Sequence, residues 1–155
     1  MTTQPAASLK AHALKLLAQR EHSRAELRRK LLHAAKTGAA ADDVAVQVDA
    51  LIDWLTANRW FDEGRFVEAR VHAREARYGN RRIEAELAQH GVTLDAQAAA
   101  ALHASELMRA REVWRKRFGV SPDTAAARAK QMRFLAGRGF TPDVIRRVIA
   151  GTDDD

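Results

Sequence analysis

The chain has 155 residues, enough for one domain or a few small modules around a real core, and its three prolines and eight glycines punctuate a composition that favours helix almost everywhere. It contains no cysteine, which excludes a disulfide framework and thiolate chemistry, and no apolar run approaches the length of a membrane span. A net charge of +6 admits polyanionic partners.

In chain order, Met1-Thr2-Thr3-Gln4-Pro5 lacks a basic segment followed by an apolar one, so no secretory leader and a cytoplasmic location are expected. Residues 1–7 read as frayed. Leu9, Ala13, Leu16 and Leu17 then give the helical period of a first helix ending near Arg20. Ser23-Arg24-Ala25-Glu26 has the form of a capping box and opens a second helix with Leu27, Leu31 and Ala35 inward. Gly38 and Ala39-Ala40-Ala41 form a connector. Asp42 and Asp43 suit the positive end of a third helix, whose stripe is Val44, Val48, Leu51, Ile52 and Leu55. Asp62 is an N-cap for a fourth helix with Phe66, Ala69 and Ala73 inward. The stretch from Arg77 to Val92 holds a fifth, with Ile83 and Leu87 on one face and Gly91 as its stop.

Thr93 or Asp95 starts a sixth, Ala-rich helix through Leu102. A seventh runs from about Ser105 to Phe118, stopped at Gly119, with Leu107, Ala110, Val113, Trp114 and Phe118 apolar. Ser121-Pro122-Asp123 places an N-cap before a proline at the first helical position of the eighth, which carries Ala125, Ala129, Met132 and Leu135. Thr141-Pro142-Asp143 repeats that signal before the ninth, with Val144, Ile145, Val148 and Ile149 apolar. Residues 151–155 are a tail. No alternating strand pattern occurs, so the chain is read as all-α.

The fifth-helix ending Leu87-Ala88-Gln89-His90-Gly91-Val92-Thr93-Leu94-Asp95 reappears 48 residues later as Leu135-Ala136-Gly137-Arg138-Gly139-Phe140-Thr141-Pro142-Asp143. A looser copy lies 56 residues upstream, where Leu27 and Leu31 stand to Ser23 as Ile83 and Leu87 stand to Gly79. A period near 50 residues points to stacked supersecondary units. Nine helices then group as three tandem three-helix repeats, helix-turn-helix-like units in an elongated array, over residues 9–60, 61–103 and 104–150.

No enzyme constellation emerges. The histidines (His12, His22, His33, His72, His90, His103) show no recurrent ligand spacing, and no phosphate-loop or nucleophile-elbow motif is present. Glu84 and Glu86, two apart on a helix, point to different faces. No catalytic residue, metal or cofactor is expected. Charge is organised in blocks, +6 over residues 10–36, −5 over 42–68 and +8 over 109–147, which suggests a polarised surface. A three-helix unit invites a helix-turn-helix reading in which the last helix enters the major groove. Here the third helix carries Asp42, Asp43, Asp49 and Asp53, and only the ninth, with Arg146 and Arg147, has the charge for that part. Basic residues gather instead on the middle helices and on the seventh, which suits contact with phosphates or an acidic protein surface. Trp60 and Trp114 are expected to pack in cores or between units, whereas Trp54 falls off its helix's main stripe and suits a unit–unit or partner contact.

The segments Leu16-Leu17-Ala18-Gln19-Arg20-Glu21-His22-Ser23-Arg24-Ala25-Glu26-Leu27, Trp60-Phe61-Asp62-Glu63-Gly64-Arg65-Phe66, Gly79-Asn80-Arg81-Arg82-Ile83-Glu84-Ala85-Glu86-Leu87 and Arg133-Phe134-Leu135-Ala136-Gly137-Arg138-Gly139-Phe140, in this order, resemble the RecX family, regulators of the RecA recombinase. The resemblance spans roughly residues 9–150. It implies tandem three-helix repeats, no catalysis, and binding along the groove of the RecA–DNA filament with lowered ATPase and strand exchange. Expected partners are the RecA filament and, weakly and without sequence preference, single- and double-stranded DNA; a monomer is expected. The family supplies no catalytic set to carry over. From charge alone, the residues expected to meet partner or DNA phosphate are Arg24, Arg28, Arg29, Lys30, Arg77, Arg81, Arg82, Arg115, Lys116, Arg117, Arg133, Arg138, Arg146 and Arg147.

Overall fold

The computed structural model describes residues 6–35 and 41–151; the expectations for residues 1–5, for the connector at Gly38, Ala39 and Ala40, and for the tail beyond Gly151 lie outside them. Among the described residues the chain is all helical, with eight helices rather than nine: α1 (Ala6–Gln19), α2 (Arg24–Ala34), α3 (Ala41–Ala57), α4 (Glu63–Arg74), α5 (Asn80–Gln89), α6 (Ala96–Arg117), α7 (Ala125–Gly137) and α8 (Pro142–Ala150). The chain divides into two compact units, with the division inside α4 between Ala69 and Arg70.

In the first unit, α1, α2 and α3 bury Leu9, Ala13, Leu27, Leu31, Ala35, Val44, Val48, Ile52, Leu55 and Phe61 together. The Ser23 hydroxyl accepts from the Glu26 amide at 3.1 Å and so caps α2. Beyond α3 the chain reverses through Trp60 N–H to Leu55 O (2.9 Å) and Phe61 N–H to Leu55 O (3.2 Å). That turn sends Phe61 inward and leaves Trp60 56% exposed, so Trp60 is not the packing residue the sequence suggested. Asp62 accepts from the Gly64 amide at 2.8 Å at the start of α4. The inner face of α4 is also not the expected one: Phe66 is buried, but Ala69 and Ala73 are exposed. The face continuing from Phe66 runs through Arg70 and Arg74, which reach Glu86 at 3.1 and 3.0 Å.

A buried polar cluster lies at the α1–α2 junction. His22, 1% exposed, sits with its Nδ1 2.9 Å from the Arg20 carbonyl and its Nε2 3.1 Å from the Lys30 ammonium. Those partners fix the neutral tautomer with the proton on Nδ1, because Nε2 must accept from a cation. Burial pushes the His22 pKa down; the Arg20 carbonyl opposes this, the Arg20 and Lys30 charges add to it, and Glu26 opposes it. Burial alone would raise the Glu26 carboxyl, but hydrogen bonds from Arg20 and Lys30, aided by the Arg20 charge, hold it at about 2. Both shifts have one sign for stability. The unfolded chain binds more protons than the folded one, below about 6.5 for His22 and below about 4.5 for Glu26. Stability therefore falls as pH falls, with the Glu26 contribution complete above the ordinary carboxylate range and lost as pH drops toward 2. Urea unfolding of the first unit, followed by its tryptophans, should show a loss on the order of 2 kcal/mol between pH 7 and pH 3. In His22→Asn the part of that slope above pH 5 should flatten.

In the second unit, α6, α7 and α8 bury Ala110, Leu135, Phe140, Val144, Ile145, Val148 and Ile149, with Leu107, Val113, Trp114, Met132 and Phe134 packed around them. The sixth and seventh expected helices are one unbroken α6. No Gly or Pro interrupts residues 96–117, and Ser105 bonds the Leu102 carbonyl at 3.1 Å without breaking the helix. Asp95 caps it, accepting from the Ala98 amide at 2.7 Å. The cap of α7 is Thr124, whose hydroxyl accepts from the Ala127 amide at 3.0 Å, and not Ser121; the proline at 122 lies before the helix. Thr141 precedes α8 with Pro142 in its first turn, as the sequence suggested, but its hydroxyl is turned away from the helix amides. Gly91 and Gly119 end α5 and α6 in the left-handed region.

Candidate partner-binding surface

Much of the block charge is spent inside the first unit. Arg28 pairs with Asp49 at 2.8 Å and Arg24 with Asp53 at 2.9 Å, so the basic face of α2 lies against the acidic face of α3. The Arg28 hydrogen bond also holds the Asp49 carboxyl below its ordinary range. Lys30 reaches Glu26 at 3.3 Å, and of the four expected α2 cations Arg29 is exposed and the others are half-buried. The expected polarised surface is thus largely a neutralised helix pair here.

The second unit is built around a close backbone crossing. Gly79, before α5, donates its N–H to the Arg138 carbonyl at 2.8 Å, and Arg81 N–H reaches the Gly139 carbonyl at 3.0 Å. These bonds place the start of α5 on the turn between α7 and α8, and the two glycines make the approach sterically feasible. Under them lies fully buried Glu106 of α6. One carboxylate oxygen accepts from the Asn80 amide at 2.7 Å and the other from the Thr141 hydroxyl at 2.5 Å. This is why Thr141 does not cap α8 with its side chain. One turn along α6, the Arg109 guanidinium donates to the carbonyls of Glu75 (3.1 Å), Tyr78 (2.9 Å) and Leu102 (3.1 Å), and to the Asn80 side-chain oxygen. Glu106 and Arg109 together fix the segment from Glu75 to Asn80.

That segment carries Tyr78, and around it the structure gathers cations from three elements. Arg82 lies 4.1 Å from the Tyr78 ring centroid, Arg138 5.5 Å and Arg77 5.8 Å. Arg138 is also 5.2 Å from Phe134, Arg117 is 5.6 Å from both Phe134 and Phe118, and the two phenylalanines meet edge to face at 5.4 Å. The result is a continuous ribbon of guanidiniums and half-buried rings. Its order is Arg77, Tyr78, Arg82, Arg138, Phe134, Arg117 and Phe118. Planar guanidiniums held over rings keep their outer N–H groups for anionic oxygens and lose less freedom on binding than loose side chains do.

Four of the expected contact residues, Arg77, Arg82, Arg117 and Arg138, converge on this ribbon, and Arg81 stands exposed beside Arg82. The others do not converge. Arg115 and Lys116 pair with Glu112 at 2.8 and 3.7 Å, Arg146 pairs with Asp143 at 3.3 Å, Arg147 is half-buried on α8, and Arg133 is exposed on α7. The rings of Tyr78, Phe118 and Phe134 were not singled out from sequence as part of a surface, nor were Asn80 and Glu106; Arg109, one of the basic residues of the expected seventh helix, is engaged with backbone carbonyls. Glu106 did carry a signal: Leu102, Glu106, Ala110 and Trp114 recur every fourth residue, which places a carboxylate on an apolar stripe. Among the described residues there is no group of three or more His, Cys, Asp or Glu side chains placed to hold a metal, and no helix is long and apolar enough to cross a membrane.

Residues 62–100 match the model of the second three-helix domain of RecX and residues 104–149 that of the third. The Regulatory protein RecX of Herbaspirillum seropedicae is 48% identical to this chain over 155 residues, covering 97% of this chain and 96% of that protein. Those of Ralstonia nicotianae and Ralstonia pickettii are 47% and 46% identical, covering 94% and 95% of this chain and 89% of each relative. Both matched domains lie in the part of the chain that builds the glycine crossing and its ribbon, and with identity of this order along nearly the whole length, the chain belongs to the RecX family of regulatory proteins.

Proposed function

We propose that this chain is a non-catalytic regulator that binds the RecA–DNA filament and lowers recombinase ATPase and strand exchange, acting in recombination and repair in the cytoplasm. The observation that carries the reading is the ribbon from Arg77 to Phe118 in a chain of this family: cations pre-set over rings make a long anionic contact without any recognition helix. The chain is read further as three tandem three-helix repeats, residues 9–60, 61–103 and 104–150, with α6 running through the second boundary. Repeats of this kind suit a contact that follows a filament rather than a point site.

A free-standing helix-turn-helix protein is the weaker reading. The last helix, α8, buries Val144, Ile145, Val148 and Ile149, and its Arg146 is engaged with Asp143. The third helix, α3, is acidic on its exposed side and would repel phosphate. Steep salt dependence with a strong preference for one duplex sequence would restore it.

Added to RecA on single-stranded DNA, the protein should suppress DNA-dependent ATP hydrolysis at substoichiometric ratios; unchanged hydrolysis at excess protein would sink the proposal. The double variant Arg82→Glu/Arg138→Glu should need about tenfold more protein for half-inhibition, a shift of ~1.4 kcal/mol. Arg115→Glu, a cation already paired with Glu112, should change it far less.

A further inference from the structure

At 3.6 residues per turn, α3 carries two apolar stripes on opposite sides. Val44, Val48, Ile52 and Leu55 are buried in the first unit. Opposite them stand Val46, Ala50, Trp54 and Ala57, all exposed, with Val46 at 68% and Trp54 at 40%. From Val46 to Ala57 this outer stripe runs about 16 Å, three helical turns. Asp42, Asp49 and Asp53 border it on one side and Asp43 stands at its N-terminal end. Asp49 and Asp53 are held by Arg28 and Arg24, so among the described residues the charge without such a guanidinium is concentrated at exposed Asp42 and Asp43. At the other end the Lys10 ammonium lies 4.1 Å from the Trp54 ring centroid.

We infer that the outer face of α3 is a docking surface for an amphipathic helix of a protein partner, one that carries Lys or Arg at the end covering Asp42 and Asp43. A stripe of three turns with a valine, a tryptophan and small alanines between them matches helix-on-helix recognition, in which anchors at i, i+3 or i+4 and i+7 meet a complementary groove. Ala50 and Ala57 permit close approach of the incoming backbone, and Trp54 supplies the large anchor typical of interface centres. Nucleic acid is the wrong occupant, because its phosphates would face the exposed carboxylates of Asp42 and Asp43. A second copy is disfavoured by the net charge of +6 on each chain and by the narrowness of one three-turn stripe beside the ~800 Å² per partner of a stable dimer. The inference does not depend on what the arginine ribbon binds.

The test is site-specific photo-crosslinking in cells, with a benzophenone amino acid in place of Gln47, exposed at the border of the stripe, in the full chain and the adduct mapped by mass spectrometry. The expected result is one discrete protein adduct whose mapped segment has apolar residues at helical spacing and Lys or Arg at one end. Introducing Val46→Glu, or Asp42→Lys with Asp43→Lys, should lower its yield at least about tenfold. Helical content by circular dichroism should stay unchanged, since all three positions are exposed. An adduct to a second copy, to nucleic acid or to an acidic or unpatterned segment would overturn the inference. So would the absence of a discrete adduct, or a yield indifferent to those substitutions.

Discussion

Gly79→Ala is expected to destabilise the second unit by about 3 kcal/mol or more, although it adds a single methyl group. A Cβ at this position would lie 2.2 Å from the Phe140 amide nitrogen and 2.4 Å from the Gly139 carbonyl carbon and oxygen. All of these are backbone atoms and cannot swing aside as the end of a side chain would. Conformation is not the obstacle, since Gly79 has φ −82° and ψ 171°, which any residue adopts. The crossing must instead open, and opening it breaks the Gly79–Arg138 and Arg81–Gly139 hydrogen bonds. Gly139→Ala meets Arg82 Cβ at 2.4 Å and adds a φ of +89°, so it should do comparable harm. Gly137→Ala is the control: it lies at the end of α7, nothing stands within 4 Å of the new Cβ, and it should be neutral or slightly stabilising. Urea midpoints for the three variants, followed by the near-ultraviolet signal of Trp114, would check the ranking. A Gly79→Ala variant with an unchanged midpoint would mean that the crossing is not rigid.

The same crossing shows what was legible in the sequence. Helix α3 and the burial of α8 follow from a 3.6-residue period with strong apolar contrast, and Gly91, Gly119 and Gly151 mark helix ends because their φ is positive. The break placed between Leu102 and Ser105 had no such chemistry behind it: an Ala-rich run with a serine continues as helix when both of its ends are packed. That break split the stripe Leu102–Glu106–Ala110–Trp114 and so hid the buried carboxylate. Trp60 failed for another reason. In the turn after α3 the Trp60 and Phe61 N–H groups both bond the Leu55 carbonyl, and that backbone geometry, which turns Phe61 inward and Trp60 outward, has no signature in side-chain periodicity.

Charge was legible as sums and illegible as pairs. The blocks over residues 10–36 and 42–68 are real, but α2 and α3 pack together, so Arg24 and Arg28 pair with Asp53 and Asp49 and their charge is partly offset within the unit. The ribbon has the opposite history. Arg82 and Arg138 are far apart in sequence and become neighbours around Tyr78 only because Gly79 and Gly139 let α5 meet the α7–α8 turn. Asn80 gives Glu106 a backbone N–H that a proline at that position could not supply.

Removal of the buried carboxylate should be the second large effect. Glu106→Ala leaves the Asn80 amide and the Thr141 hydroxyl without their acceptor in a buried site and creates a cavity beneath the crossing. It also removes the charge that compensates Arg109, whose pKa burial lowers while Glu106 and Glu75 oppose the change. Stripping one partner from such a buried arrangement costs about 3–5 kcal/mol. Glu106→Gln separates the contributions. Its carbonyl can still accept from Asn80 and its amide can donate to a rotated Thr141 hydroxyl, so only the charge is lost, and about 1–2 kcal/mol is expected. Thermal and urea unfolding would give both numbers. The functional arm follows from position: Glu106 and Arg109 fix the segment that carries Tyr78, so under conditions where Glu106→Gln remains folded, the Tyr78–Arg82–Arg138 cluster should persist and inhibition of ATP hydrolysis should stay near that of the parent. Glu106→Ala, assayed at a temperature where circular dichroism still shows full helix, should lose inhibition because the ribbon is no longer held in register. Equal inhibition by the two variants would detach the ribbon from the joint beneath it.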